Sequence, residues 1–278
     1  MRHFQFIALF VLSAIFVSPQ SAWGQTDDKV QNPTDSVTEL DPALVDYMVA
    51  KTMYEFVDSL KNEGLYMQAL QTADNFINYW KNVAMKPVPI RVYMSKVLVL
   101  MKLEEWNSVI KTCDESITAQ EKAADVLDGW MLPDVYEAKA SACKYSGKYK
   151  DAVIAYENAL PVFTRENKSY RICSILTELG ECYDKLGKQV LASSFYEKGL
   201  NKYLECFGVS RARLLKARYD VKDPRLKSEF ELFAMFLYKM AVREQDQEDR
   251  SASREYLLMS AHCGFDLAIR EYKRIYGE

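Results

Sequence analysis

One short pattern recurs along the chain at an almost constant interval. Each copy centres on a turn between two stretches with the 3.6-residue apolar periodicity of a helix, such as 135–145 and 149–163 on either side of one turn. The turn positions are separated by 40, 43 and 40 residues, and they are Gly64, Glu104, Gly147 and Gly187. This regularity predicts repeated helix–turn–helix units. Since neither helix of a unit can bury its apolar face alone, the units must stack on one another.

The residues around the third turn explain why two helices meet there. Gly147 tolerates a left-handed backbone, and Tyr149 fills the gap between the helices. Ala152 is small enough to let the helices approach closely. The pattern therefore predicts two antiparallel helices joined by a tight turn.

These residues resemble the tetratricopeptide repeat (TPR). The match is best at Gly147, Tyr149, Ala152, Tyr156, Ala159 and Leu160, and nearly as good at Leu179, Gly180, Tyr183, Gly187, Ala192, Tyr196 and Leu200. The first two units are degenerate and keep Gly64, Tyr66, Ala69 and Ala73 in one, and Trp106 and Ile117 in the other. The resemblance covers about residues 45–205. It implies an all-α fold, a right-handed α-solenoid of stacked antiparallel helix pairs.

The repeat interval exceeds the roughly 34 residues of the TPR unit. The excess predicts either longer helices or longer links between the pairs, for example at 86–89 and 128–130. Beyond 207–208 the period is lost, and we expect a further helix pair at 226–243 and 251–263, separated by an acidic loop at 244–249. The run Tyr256, Ala261, Gly264 and Ala268 is similar to the second half of a Sel1-type repeat, so we interpret 206–278 as the capping end of the solenoid.

The beginning of the chain has the features of a secretory signal peptide. Arg2 is followed by a largely apolar run over 4–17, and Pro19 precedes a small-x-small step at 22–24. We expect residues 1–24 to be removed before Gln25, 25–40 to form a flexible leader, and 41–205 to form the TPR-like repeats. A retained anchor is the alternative, but it needs about 18 apolar residues. The expected location is periplasmic, envelope-associated or secreted, with no stable membrane span after cleavage.

Charge and cysteine content narrow the classes of function. Without the signal peptide, 35 basic residues face 39 acidic ones, so the chain lacks the basic surplus of a nucleic-acid binder. The locally basic stretch 211–227 is either a solvated surface or a docking patch for an acidic partner. The six cysteines have no framework spacing and are expected to be small core residues, with a disulfide left open. No metal-binding motif and no cofactor motif is present.

The sequence gives little support for catalysis. Only His3 and His262 could serve as a histidine base; the first leaves with the signal peptide, and the second falls in a predicted helix where a structural role is expected. The segment 180–188 holds two glycines and a lysine, but its spacing does not match a phosphate-binding loop. We therefore expect a protein that is not an enzyme.

The resemblance implies a binding surface, because in the TPR family the first helix of each pair lines the concave face. Carried over by register, the expected binding residues are Tyr54, Asp58, Lys61, Arg91, Met94, Leu98, Met101, Glu137, Ser141, Lys144, Tyr145, Thr177, Glu181 and Asp184. The second unit would offer an apolar, Met-containing centre. An equally open interpretation places Met94, Leu98 and Met101 in the core.

Together these features predict an exported scaffold that binds a protein or peptide on its concave face without catalysing a reaction. The alternative is an accessory glycan- or nutrient-binding protein of the cell envelope, which would need exposed aromatic platforms. Trp80, Trp106 and Trp130 are the candidates for such platforms. Self-association into a homo-oligomer stays open.

Overall fold

The computed structural model describes residues 41–123 and 127–277, and within these residues the chain is helical and has no strand. The predicted signal peptide (1–24) and leader (25–40) lie outside the described residues. The described α-helices are α1 (Pro42–Asn62), α2 (Tyr66–Asn78), α3 (Ile90–Lys102), α4 (Trp106–Lys122), α5 (Leu132–Tyr145), α6 (Tyr149–Arg165), α7 (Ser169–Lys185), α8 (Gln189–Phe207), α9 (Arg211–Lys216), α10 (Lys227–Asp246), α11 (Arg250–His262) and α12 (Asp266–Tyr276). None of these described helices combines the length and apolarity that crossing a bilayer requires.

The first eight helices form four antiparallel pairs, and the turn within each pair lies where the repeat predicts it. The turn residue has a positive φ in all four pairs: 77° at Gly64, 56° at Glu104, 73° at Gly147 and 70° at Gly187. Two backbone hydrogen bonds close each turn, as when the Lys148 amide donates to the Cys143 carbonyl at 2.8 Å. These are the bonds of a Schellman motif, which satisfies the last carbonyls of a helix and reverses the chain.

The same turn also joins one pair to the next, which the sequence analysis did not predict. Between α6 and α7 the left-handed residue is Asn167, with φ 53°, and it lies midway between Gly147 and Gly187. Asparagine adopts this conformation more readily than most residues, so the helix can stop there without glycine. The third interval of 40 residues therefore consists of two long helices and two short turns.

The first two intervals exceed the family length for a different reason, since they contain long links. The first link follows α2 through a π-helical turn, Tyr79–Val83, and reaches α3 at Ile90. The second contains Asp128, whose carboxylate is buried and accepts two hydrogen bonds from Arg91, at 2.5 and 2.6 Å. This ion pair holds the second link against the start of α3.

Helix α1 begins at Pro42, and one predicted boundary in the C-terminal region is wrong. Asp41 caps α1 by accepting a hydrogen bond from the Ala43 amide at 2.9 Å, with Pro42 in the first helical position. The acidic loop predicted at 244–249 is much shorter, because α10 continues to Asp246. Glutamate and glutamine are good helix formers, so acidic charge alone does not end a helix. Helix α10 ends just before Glu248, which takes the left-handed conformation with φ 63°.

Helices α7 and α8 approach each other closely because glycine faces a side chain at two places. A Cβ atom on Gly180 would lie 2.6 Å from the ring of Tyr196, and one on Gly199 would lie 2.9 Å from Cγ2 of Thr177. Such distances are shorter than atomic contact permits. The spacing of this pair therefore depends on the two glycines.

Helix α10 is joined to α8 through aromatic side chains instead. Tyr203 and Phe207 of α8 pack on Phe233 of α10 with ring centroids 5.0 and 5.6 Å apart, and Phe230 meets Phe207 edge-on at 5.1 Å. These rings belong to a core that continues through α11 and α12 to Tyr272. The C-terminal helices thus share one core with the last TPR-like pair.

The turn geometry gives a stability prediction with opposite signs at two positions. Gly147→Ala should lower the free energy of unfolding by ~1 to 2 kcal/mol, because an added Cβ meets no neighbour but is strained at positive φ. Glu104→Gly should raise it by about 1 kcal/mol, since it removes the same strain from an exposed position. Urea unfolding of both variants measures this. A loss of stability in Glu104→Gly would contradict the account.

Candidate functional site

The first helices of successive pairs lie side by side and form one surface, which we call the first-helix face (α1, α3, α5, α7 and α10). Ion pairs run across it from helix to helix. Lys144 of α5 contacts Glu178 and Glu181 of α7, and Arg243 of α10 contacts Asp184 of α7 at 2.7 Å. All fourteen predicted binding residues belong to helices of this face, but they differ greatly in what they offer to a partner.

The predicted apolar centre on α3 is not an exposed groove. Met94 is 6% exposed and packs in the core with Val97 and Leu100, while Leu98 and Met101 are partly buried. The core interpretation is therefore correct for Met94. The physical reason is that Met94 packs among residues of α4 and α5, so the register of a better-exposed family helix does not apply to α3.

Arg91 was also expected on the binding surface and is buried. Its guanidinium pairs with Asp128 and lies 4.5 Å from the ring centroid of Tyr47. Burial is the largest single influence on Arg91 and would lower its pKa, but the hydrogen bonds that Arg91 donates to Asp128 and Tyr47, together with the charge of Asp128, outweigh burial and raise the pKa. A buried guanidinium with a bidentate carboxylate partner positions the helix and the link.

The predicted residues of α1 are partly exposed. Lys61 pairs with Asp58 one turn earlier, and the side chain of Lys61 is more deeply covered than that of Asp58. Burial, followed by the charge of Asp58, raises the pKa of Tyr54. These residues form a small polar cluster at the N-terminal end of the first-helix face.

The central part of the face is a charged ladder between α5 and α7. Arg171 donates to Glu137 at 2.9 Å and to Asp134 at 2.6 Å. Burial of Lys144 would lower its pKa, but Glu178 and Glu181 raise it more strongly, so Lys144 stays protonated. Burial has the larger effect on Glu137 and raises its pKa against the influence of Arg171.

Two further predicted residues lie beside this ladder. The Ser141 hydroxyl is 3.3 Å from the hydroxyl of Tyr156, which is buried between the helices. Tyr145 is 62% exposed and its ring stacks on that of Trp106 with centroids 4.7 Å apart. Lys144 lies 5.3 Å from the same tyrosine ring. Of the predicted residues on α5, Tyr145 presents the most accessible aromatic surface.

A concave feature lies between α7 and α10, and we call it the α7–α10 groove. It has a volume of about 700 Å³ and includes three predicted residues, Thr177, Glu181 and Asp184. Its remaining lining is Ser174, Glu178, Lys185, Gln189, Tyr196, Tyr203, Leu232, Met235, Phe236, Tyr238, Lys239, Met240, Val242, Arg243, Asp246 and Gln247. The groove thus has one predicted wall, on α7, and one wall on α10 that sequence reasoning missed.

The α10 wall exposes three apolar side chains to solvent. Leu232 is 51%, Met235 36% and Val242 39% exposed, and all three lie on this helix. Charged side chains surround them, since Arg243 binds Asp184 and Lys239 lies 3.9 Å from Glu181. Because α8 meets α10 through rings, the two walls are held apart and the groove stays open.

The missed wall had only a weak sequence signal. The repeat period is lost after 207–208, so no register existed to carry a binding position onto α10. The exposed apolar side chains of Leu232, Met235 and Val242 share the helix with the buried rings of Phe230, Phe233 and Phe236. A helix with apolar residues on more than one face is the signal that could have indicated a second contact surface.

The histidine that was considered as a catalytic base, His262, has a structural contact. His262 Nδ1 donates to the Leu214 carbonyl at 2.5 Å and so ties α11 to α9. Within residues 41–123 and 127–277, no cluster of His, Cys, Asp or Glu has the geometry of a metal site.

The three tryptophans do not form a common platform for a glycan. Trp80 is 1% exposed, and its indole nitrogen is 3.3 Å from the sulfur of Met53. Trp106 is covered by Tyr145, and Trp130 is exposed in the second link. The glycan-binding alternative gains no support from this arrangement.

No protein-family model matches the chain, and no curated protein matches it in sequence. Solved structures do resemble its fold. MamA is 14% identical with a TM-score of 0.51, over 79% of this chain and 97% of that one. BtubC from P. vanneervenii is 13% identical with a TM-score of 0.53, over 76% and 83%. A Podosopora anserina protein described as a kinesin light chain with nearly identical TPR-like repeats is 13% identical with a TM-score of 0.56, over 81% and 99%.

At this level of identity the likeness concerns the fold alone. It confirms the predicted fold class, an all-α, right-handed solenoid of stacked antiparallel helix pairs of the TPR-like kind. The chain therefore has the fold of a TPR-like helical repeat protein.

The burial of Met94 gives a test of its placement. Met94→Ala should lower the free energy of unfolding by ~2 to 5 kcal/mol, because truncation leaves a cavity in the core. Leu232→Ala is the matched control on an exposed helix face and should change stability by less than about 0.5 kcal/mol. Denaturant unfolding compares the two. Equal free energies of unfolding for the two variants would instead favour an exposed position for Met94.

Proposed function

We propose that this chain is an exported, non-catalytic scaffold that binds a protein or peptide partner in the α7–α10 groove. The observation that carries the proposal is the row of exposed apolar side chains, Leu232, Met235 and Val242, inside a concave surface bordered by charge. Exposed apolar groups in a concave patch with a polar border are typical of protein-interaction sites. The groove lies on the first-helix face, which is the concave side in a TPR-like solenoid.

The chemistry of the groove favours a segment with apolar anchors. Arg243, Asp184 and Glu181 already have partners within the protein, so they surround the apolar centre without presenting unpaired buried charge. A partner would gain most by covering Leu232 and Met235, while the charged border selects its orientation. An amphipathic helix or an extended segment meets these requirements.

The walls of the groove are firmly held, which favours tight binding. Ion pairs between Lys144 and α7 fix one wall, and the rings of Tyr203 and Phe236 support the other at a centroid distance of 5.7 Å. A preformed surface loses little conformational freedom when a partner binds. The predicted residues Glu137, Ser141 and Tyr145 would extend the contact along the first-helix face beyond the groove.

The C-terminal helices α11 and α12 are also part of this proposal. The similarity of Tyr256, Gly264 and Ala268 to a Sel1-type unit is supported by the antiparallel arrangement of α11 and α12 about Gly264, whose φ is 86°. Buried Tyr256 and Ala268 join these helices to the core. We propose that this unit caps the solenoid, which places the groove next to its C-terminal end.

The sequence features of residues 1–24 support the proposal of export, and export would determine where the partner is met. A periplasmic, envelope-associated or secreted scaffold would recruit a component of an envelope complex. Nucleic acid stays an unfavoured partner because acidic residues outnumber basic ones.

Binding in the groove can be tested by reversing the character of its apolar wall. Leu232→Glu with Met235→Glu should weaken capture of the partner from envelope extract at least about tenfold, because these side chains would be the anchors. The control, Met67→Glu with Ile154→Glu, changes apolar residues on α2 and α6 that are more exposed than Leu232 and Met235, and it should capture normally. Circular dichroism verifies that both variants fold.

Two outcomes would count against the groove. One is equal capture by the wild type, the groove variant and the control. The other is concentration-dependent self-association in sedimentation experiments that the groove variant abolishes, since the occupant would then be a second copy of the chain. Capture that is lost only in the groove variant supports the proposal.

Export has its own test. When the full chain is produced in an exporting host, the mature protein should begin at Gln25 by intact-mass analysis, because cleavage follows the small-x-small step at 22–24. Replacing Ala22 with Arg should block cleavage and retain the mass of residues 1–24. An uncleaved wild-type chain recovered in the membrane would favour the retained anchor instead.

A further inference from the structure

Two cysteines that are distant in sequence face each other between α7 and α8. The sulfur of Cys173, in the first half of α7, is 3.8 Å from the sulfur of Cys206, near the end of α8. The antiparallel pairing brings these positions together although 33 residues separate them. All six cysteines lie among the described residues and are reduced. The spacing of cysteines along the sequence gave no indication of this contact.

The two thiols differ in their access to solvent. Cys173 is fully buried, whereas Cys206 is partly exposed and is the most accessible of the six cysteines. Lys202 lies one turn before Cys206, and its ammonium group favours negative charge on the sulfur of Cys173. Burial, and then the neighbouring Cys206, raise the pKa of Cys173. A reagent therefore reaches Cys206 first, and Cys173 is placed to react second.

We propose that Cys173 and Cys206 form an intramolecular disulfide that joins α7 to α8 when the chain meets a low-molecular-weight disulfide such as oxidised glutathione. The Cys206 thiolate attacks one sulfur of the reagent, and one thiol leaves. The Cys173 thiolate then attacks the Cys206 sulfur, and the second thiol leaves. The two protein thiols are oxidised, one reagent disulfide is reduced to two thiols, and their two protons are carried by those thiols.

The helices can accommodate this bond. The sulfurs must approach by about 2 Å to reach bonding distance. Cys206 is the penultimate residue of α8, and Gly208 ends the helix in the left-handed conformation with φ 60°; the ends of helices shift more readily than their interiors. Such a bond would secure α7 to α8 beside Tyr203, which lies in the floor of the groove.

The oxidising setting of this reaction rests on the proposed export, but its chemistry belongs to the purified chain and can be tested alone. Incubation with oxidised glutathione, without denaturant, should remove two of the six free thiols and link residues 172–185 to residues 203–211 in a tryptic digest. The first peptide also contains Cys182, so the same digest of Cys182→Ala must retain the link. The oxidised chain should have a Tm higher by roughly 5 to 10 °C.

The control is Cys206→Ser, in which neither the linked peptide nor the rise in Tm should occur. Lasting attachment of glutathione to Cys206, a link between any other pair, retention of all six thiols, or a lower Tm on oxidation would each overturn the proposal. Because no partner is used in these measurements, their failure leaves the proposed groove unaffected. Loss of partner capture likewise leaves the disulfide unaffected.

Discussion

The architecture depends on a helix stop in which one residue takes the left-handed conformation and two backbone hydrogen bonds close the turn. It occurs at Gly64, Gly147 and Gly187, and also at the non-glycine residues Glu104 and Asn167. Because the stop leaves only a few residues between helices, each helix must lie antiparallel to the next. Every second helix then falls on the same side, which creates the first-helix face and aligns its charged residues.

Two kinds of helix contact hold α7, α8 and α10 together. Glycine at positions 180 and 199 allows α7 and α8 to pack closely, while the rings of Tyr203, Phe207 and Phe233 keep α10 at a greater distance from α8. A groove can exist between α7 and α10 only because the second contact is wider than the first. The proposed binding groove lies between α7 and α10, and the proposed disulfide joins α7 to α8 beside it.

The residues expected to bind a partner lie in different environments, depending on the repeat unit that carries them. Thr177, Glu181 and Asp184 belong to the fourth unit, where the repeat match is clear, and they line the groove. Arg91 is buried by its ion pair with Asp128 of the second link, and Met94 is buried among residues of α4 and α5. The α10 wall was missed since exposure of an apolar residue depends on what packs beside it.

The sequence by itself determined the class of the fold, the turns within the four pairs and the helical nature of the C-terminal region. Those features follow from local chemistry, namely apolar periodicity, glycine at positive φ and small residues at close contacts. Only the tertiary structure decided which side of α3 is covered, how far α10 stands from α7 and which cysteines meet. Each of these depends on the shapes of side chains from distant segments, and a local pattern carries no information on that packing.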